Sequence, residues 1–155
     1  MTYRITGLPS QPFAHLIGAS EAVLAESGAI RVTAGADKGW PCRISLADAK
    51  AGESLILLNH TSHDVATPYR SAYAIYVREC AYTPAEYTDQ TPPVFEGRPM
   101  ALRAFDAKGM LRDAALALPG EADAKIRALF GADEIAYIHA HNAAHGCFSA
   151  KVERN

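Results

Sequence analysis

The stretch from residue 136 to 152 holds the densest set of side chains that could do chemistry. It contains three of the six histidines and one of the three cysteines of the chain. His139 and His141 occupy alternate positions, and Cys147 follows them after a short loop that contains Gly146. Two alternating runs separated by about five residues with a glycine predict a β-hairpin with a longer loop.

The register of this hairpin decides which side chains meet. If His141 lies opposite Cys147, then His139 lies opposite Ser149, because residues pair one to one across two antiparallel strands. We therefore expect these four side chains on one face of the hairpin and alternate residues such as Phe148 on the other.

Nucleophilic catalysis is one chemistry that this face could support. A thiolate at Cys147 would be favoured by a neighbouring imidazole of His141, with His139 beside it. Asn142 could orient an imidazole or a substrate, although asparagine is also common in turns. The alternative is that Cys147 is a core thiol, since free cysteine is among the most buried residue types and no known cysteine signature surrounds it.

Metal binding is the second chemistry, since imidazole and thiolate are the preferred ligands of zinc. His139, His141, His145 and Cys147 are the candidates, but their spacing matches no standard signature. His145 falls in the loop, where its direction is not set by the strand pattern. We therefore expect no bound metal and no cofactor, and a metal-binding hairpin stays open as an alternative function.

Anion binding is the third chemistry, and it rests on Arg43, Arg70 and Arg78, which lie on or beside predicted strands. A guanidinium binds carboxylate or phosphate in a fork. We expect at least two of them to converge on a hollow near His139 or His141. The alternative is that each arginine pairs with a nearby acid, and the candidate acids are Asp48, Glu53, Asp64 and Glu79.

Composition limits the class of protein. The 155 residues are 49% hydrophobic and carry a formal charge of -2, which suits one domain over residues 1–155 with a real core. Without a basic excess or a long apolar run, we expect no nucleic-acid or membrane partner. The first residues lack the apolar core of a signal peptide, so we expect a cytoplasmic protein with reduced cysteines. The sequence gives no oligomeric state.

The order of predicted elements indicates an α+β fold. Hairpin-length connections favour a mainly antiparallel sheet of about seven strands with two or three helices. Ser10 and Ser20 can each cap an early helix, and a later helix is predicted over residues 121–130. An alternating run predicts a strand over residues 42–46, and four prolines between residues 84 and 99 predict a loop or lid.

Four short motifs carry a resemblance to a known family. They are Pro41-Cys42-Arg43, Pro68-Tyr69-Arg70, Val77-Arg78-Glu79, and His139-Ala-His141-Asn142 followed by Gly146-Cys147. With these motifs the chain resembles the bacterial domain-of-unknown-function family 1203 over nearly its whole length. The resemblance implies a common length but no activity, cofactor or site role, and His145 is not among the positions it emphasises.

Together these features favour a small protein with one polar pocket that binds a small anionic molecule. His139, His141 and Cys147 would line that pocket with one or more of the three arginines. Whether the ligand is turned over stays open. The alternative is a structural or protein-interaction module that uses the proline-rich segment, residues 84–99, as its contact surface.

Overall fold

The computed structural model describes residues 1–155 as an α+β protein with nine strands in two antiparallel sheets. The strands are β1 Tyr3–Thr6, β2 Ile30–Thr33, β3 Ser54–His63, β4 Ser71–Arg78, β5 Glu86–Thr88, β6 Met100–Phe105, β7 Leu111–Ala117, β8 Tyr137–Asn142 and β9 Phe148–Arg154. The helices are α1 Glu21–Glu26 and α2 Ala122–Leu129, with 3-10 turns at Gln11–Phe13 and Pro93–Phe95. The predicted class is confirmed, but a single sheet of about seven strands is replaced by two sheets with nine.

The larger sheet has the strand order β5-β1-β9-β8-β6-β7, and α2 packs on one of its faces. Ile138 and Val152 are paired neighbours on that face, and Ile126 of α2 packs in the same core. The helix buries Ile126 and Leu129, as its apolar stripe predicts. Each such side chain contributes roughly 1.5–3 kcal/mol when fully buried, so this face is the main core.

The smaller sheet has the order β2-β3-β4 and a core of its own. Ile56 and Val77 are paired across β3 and β4, and Leu24 of α1 packs in the same core. The predicted cap of α1 is confirmed, because Ser20 Oγ accepts a hydrogen bond from the backbone N–H of Val23. Neither α1 nor α2 has the length and apolar character needed to cross a bilayer.

The two sheets meet through aromatic and histidine rings. His63 of β3 lies 4.1 Å from the Phe105 ring and 4.9 Å from the His139 ring, measured between centroids. Tyr73 of β4 lies 5.0 Å from the His141 ring. The second faces of β6 and β8 are therefore covered by the smaller sheet, and the predicted histidine face is interior.

The predicted strand over residues 42–46 is wrong. The segment is a turn with two isolated bridges, Pro41 to Asp48 and Cys42 to Tyr76, and Leu46 has a φ of 51°. Cys42, Arg43 and Leu46 are all buried, because the segment runs between the two sheets and is enclosed from several sides. Alternation of apolar and polar residues therefore does not mark an exposed face here.

Two other predicted boundaries also move. The proline-rich segment, residues 84–99, contributes β5 to the larger sheet and buries Val94 and Phe95. This segment therefore packs against the core and is not a free surface loop. The early helix predicted at Ser10 is a single 3-10 turn.

Candidate functional site

The C-terminal hairpin is present, but its register differs from the prediction. β8 and β9 pair antiparallel, with His141 opposite Phe148 and His139 opposite Lys151. The Phe148 ring packs on the histidine face, 5.0 Å from the ring of His139. The predicted pairs of His141 with Cys147 and of His139 with Ser149 are therefore wrong, as is the outward placement of Phe148.

A bulge explains the changed register. The pairing shifts between Ala140, which lies opposite Ala150, and His141, which lies opposite Phe148. Ser149 is therefore the extra residue in β9. Because side chains alternate with a period of two, one extra residue exchanges the faces for everything on one side of it. Period-two counting from the loop cannot detect such an insertion.

Cys147 lies at the end of the hairpin loop and contacts Asn142 and Arg43 instead of a histidine. Its backbone carbonyl accepts a 3.0 Å hydrogen bond from the N–H of Asn142. Its Sγ accepts hydrogen bonds from Arg43 Nη2 at 3.0 Å and from Asn142 Nδ2 at 3.5 Å. Two donors thus meet at one sulfur, which acts as an acceptor toward both.

Arg43 is a buried cation without a carboxylate partner. Its side chain is 2% exposed, and besides the Cys147 sulfur it donates to two backbone carbonyls, those of Pro41 and Phe148. Burial lowers the pKa of Arg43, and the neighbouring Cys147 acts in the opposite direction. Arginine nevertheless stays protonated in proteins, so the charge is present and lacks a full counter-charge.

A cavity of about 500 Å³ opens beside this group. It lies between the hairpin loop, β3 and β4 of the smaller sheet, and the segments around residues 41 and 98. The polar side chains that line it belong to Arg43, Tyr73, Tyr76, Arg98, Asn142, His145 and Cys147. Its apolar walls include Pro41, Leu57, Ala74, Pro99, Ala143 and Ala144.

Asn142 is a second buried polar residue among those that line this cavity. The residue is 7% exposed, and its Oδ1 has no hydrogen-bond partner. The predicted site therefore retains Asn142 and Cys147 in the cavity, together with Arg43. Arg43 is distant in sequence from the other two, and Asn142 and Cys147 are separated by the hairpin loop. The three residues meet at the Cys147 sulfur.

The predicted convergence of at least two of the three arginines on one hollow is not found. Arg70 pairs with Asp64 at 3.0 Å on the surface, and Arg78 pairs with Glu53 at 2.6 Å. Neither lines the cavity, so Arg43 is the only one of the three that does. The alternative of pairing with nearby acids therefore describes Arg70 and Arg78.

Arg98 is a second arginine that lines the cavity, and the sequence did not identify it as a site residue. Its guanidinium donates to both carboxylate oxygens of Asp48, at 3.0 Å and 2.8 Å. No local pattern around residue 98 indicates this position, because Arg98 lies within the proline-rich segment and reaches Asp48 only through the fold.

His139 and His141 do not line the cavity. Burial lowers the pKa of His139 to about 3, with smaller contributions from nearby positive groups, and lowers that of His141 to about 4. His141 Nδ1 lies 2.9 Å from the carbonyl oxygen of Gly146, which only accepts, so Nδ1 carries the proton. At neutral pH both rings are uncharged, and neither makes a hydrogen bond to Cys147.

The predicted metal ligands do not converge. No group of three or more His, Cys, Asp or Glu side chains is placed to hold a metal ion. His139 and His141 lie between the sheets, whereas His145 and Cys147 line the cavity. The alternative of a metal-binding hairpin therefore has no geometric support.

A histidine and a tyrosine that sequence reasoning did not connect lie next to each other across the sheets. His63 Nδ1 lies 2.8 Å from the carbonyl oxygen of Tyr69, and its Nε2 lies 2.6 Å from the hydroxyl of Tyr137. Because Nδ1 donates to the carbonyl, a neutral ring accepts at Nε2 and the Tyr137 hydroxyl donates to it.

Fold and site define an α+β protein with a cavity whose inner end carries a cation, an amide and a thiol. The chain belongs to the family of proteins of unknown function DUF1203, whose family model matches residues 39–154. The match begins at Gly39 in the cavity wall and so includes every residue that lines the cavity. No curated protein and no solved structure matches the chain.

Proposed function

We propose that the protein binds a small anionic organic molecule in the cavity, with Arg43 as its anchor. The observation that carries this proposal is the buried guanidinium on the cavity wall, which has no carboxylate partner. An uncompensated buried charge costs several kcal/mol, so a protein rarely keeps one without a use. A bound anion would supply the missing negative charge.

The donors of Arg43 are not exhausted by the protein. A guanidinium has five N–H groups, and Phe148, Pro41 and Cys147 take one each. One hydrogen on each terminal nitrogen is left to a ligand. Two such donors match the geometry of a carboxylate or a phosphate.

The shape of the cavity favours an organic ligand over an inorganic ion. Its volume of about 500 Å³ lies within the usual range for small-molecule sites. Leu57, Tyr73 and Pro99 provide apolar and aromatic surface to the cavity wall. A ligand with an anionic end and an apolar body would use both parts of the wall.

If the ligand is turned over, the group in position to act is Cys147. Cys147 lines the cavity and its sulfur accepts hydrogen bonds from Arg43 and Asn142, and a cysteine sulfur can act as a nucleophile. His139 and His141 would act only by holding the hairpin, since they face the other sheet.

A thermal-shift screen with carboxylates and phosphates tests the proposal. A ligand at 100 times its Kd adds about 2.7 kcal/mol to the free energy of unfolding, which is readily measured. Ala144 is exposed at the cavity wall, so Ala144→Phe narrows the cavity without entering the core. Arg70→Ala removes an exposed arginine outside the cavity and serves as the matched control.

We expect at least one organic anion to stabilise the wild type and Arg70→Ala, and to have a much smaller effect on Ala144→Phe and Arg43→Lys. Equal stabilisation of the narrowed variant would place binding elsewhere. No stabilisation by any anion at millimolar concentration would contradict the proposal.

A further inference from the structure

The ionisable side chains of the cavity are unequal in sign. None of the residues that line it is Asp or Glu, whereas two of them, Arg43 and Arg98, carry permanent positive charges. His145 also lines the cavity, but it is exposed, and an imidazole is mostly uncharged at about pH 8. The charge that a ligand must supply therefore depends on how far the protein itself neutralises each arginine.

Arg98 is neutralised by Asp48. Its Nη1 and Nη2 donate to the two carboxylate oxygens at 3.0 Å and 2.8 Å, and Nη1 also donates to the carbonyl oxygen of Val94 at 2.9 Å. The side chains of this pair are only 22% and 14% exposed. A ligand that displaced Asp48 would leave its carboxylate poorly solvated and without a cation, which is strongly unfavourable. Arg98 is therefore not free to bind a ligand anion.

Arg43 has no such partner. Its acceptors are two backbone carbonyls and the Cys147 sulfur, and none of them is a carboxylate. Burial lowers the pKa of Arg43, Cys147 raises it, and the positive charge of Arg98 adds a smaller lowering. The charge of Arg98 thus acts at Arg43, yet only Arg43 is left without a carboxylate. The cavity offers one uncompensated positive charge.

We infer that the cavity accepts a ligand group with a single negative charge, such as a carboxylate, and discriminates against phosphate monoesters. This inference rests on the proposed function and narrows its ligand class to organic monoanions. A phosphate monoester has its second pKa near 6, so it carries nearly two charges at neutral pH. The second charge would need another free cation, and Arg98 is committed to Asp48.

Asp48 is then the residue that sets the charge preference, although it does not line this cavity. It acts through Arg98, because its carboxylate cancels a positive charge that a dianionic ligand would otherwise use. An acid in this position costs a monoanion little, since Arg43 alone balances one negative charge. The same acid deprives a dianion of its second partner.

Two esters of the same shape and different charge test this inference. Phenyl sulfate carries one negative charge and phenyl phosphate carries about two at pH 8, and phenylacetate represents the carboxylates. We expect isothermal titration to show that the wild type binds phenyl sulfate and phenylacetate at least about tenfold more tightly than phenyl phosphate, because an uncompensated charge is costly in a partly enclosed site.

The variant Asp48→Asn removes the charge and keeps an oxygen for the backbone N–H of Trp40. Since the attraction to the freed Arg98 grows with ligand charge, the affinity for phenyl phosphate should rise about tenfold and that for phenyl sulfate about threefold or less. Asp64→Asn is the matched control, because Asp64 pairs with Arg70 outside the cavity. It should leave all three affinities unchanged.

The double variant Asp48→Asn with Arg98→Met removes both charges of the pair and should restore the wild-type preference. Equal or tighter binding of phenyl phosphate by the wild type overturns the inference and leaves the proposed anion site standing. An unchanged preference in folded Asp48→Asn overturns the role of Asp48. No binding of either monoanion also overturns the inference, and failure of every organic anion in the thermal-shift screen overturns the proposed function itself.

Discussion

Arg43 Nη2 donates a 3.0 Å hydrogen bond to Cys147 Sγ across 104 positions of the chain. This contact joins the turn that precedes β3 to the loop between β8 and β9, and it forms the inner end of the cavity. Both residues belong to the segment that the family model matches. The reactivity of the sulfur should therefore report on the state of this contact.

We expect Cys147 to be alkylated before the other two cysteines at pH 7.5, because it lines the cavity and its sulfur accepts a hydrogen bond from Arg43. Cys80 is the more exposed residue, but desolvation of its sulfur and a hydrogen bond to Glu53 raise its pKa. Cys42 is fully buried. Iodoacetamide labelling followed by peptide mass spectrometry gives the order.

The matched variant for this experiment is Arg43→Lys, which keeps a positive charge but loses the fork. Labelling of Cys147 should slow in this variant while labelling of Cys80 stays the same. If Cys80 reacts first in the wild type, accessibility controls the order and the donors to Cys147 have no effect on its chemistry.

Acid should destabilise the fold through His139 and His141. Their pKa values in the folded state are about 3 and about 4, below the ordinary value of 6.5. As the pH falls below 6.5, the two histidines take up protons in the unfolded chain before they do so in the folded protein. The stability that their neutral rings contribute above pH 6.5 is therefore lost progressively as the pH falls toward their folded-state pKa values. At pH 5 the loss is about 2 kcal/mol for each histidine.

Urea unfolding at pH 7 and pH 5 measures this loss. Arg103 and Lys151 lie close enough to His139 to disfavour its protonation further. His139→Leu should reduce the difference between the two pH values by about 2 kcal/mol, whereas His15→Gln, at an exposed histidine, serves as the control and should leave it unchanged. An unchanged difference in His139→Leu would show that other groups control acid stability.

Gly7→Ala should be strongly destabilising. A Cβ at Gly7 would overlap the carbonyl oxygen of Ile44 and lie 3.2 Å from the backbone nitrogen of Ala85. The backbone must then shift, at a cost of about 3 kcal/mol. Because Leu8 donates to the carbonyl of Arg43, the shift should also disturb the cavity.

The control is Gly35→Ala, since no atom lies within 4 Å of a Cβ at that position. Its midpoint of thermal unfolding should match or slightly exceed that of the wild type. If the two variants have the same midpoint, the close approach at Gly7 is not rigid.

Tyr137→Phe should cost about 1–3 kcal/mol in the free energy of unfolding. The substitution removes the hydroxyl that lies 2.6 Å from His63 Nε2 and leaves a buried nitrogen without a partner. Tyr82→Phe is the matched control, because the Tyr82 side chain is exposed. Equal urea midpoints for the two variants would mean that water replaces the lost hydroxyl.

The local features of this protein follow from its sequence alone. Period-two alternation and Gly146 were sufficient for the β8–β9 hairpin, and the apolar stripe and Ser20 were sufficient for α2 and the start of α1. These features depend on residues a few positions apart, whose interactions are the same in any fold. The short motifs also indicated the family, which the match of the family model confirms.

Which of these residues contact one another depends on the tertiary structure. The bulge at Ser149 set the hairpin register, and the covering by β3 and β4 turned the histidine face into an interior. Arg43 reached Cys147 because residues 41–46 form a buried turn instead of the predicted strand. Such contacts depend on how the two sheets pack, and packing is set by shape and burial over the whole chain, which no local spacing encodes.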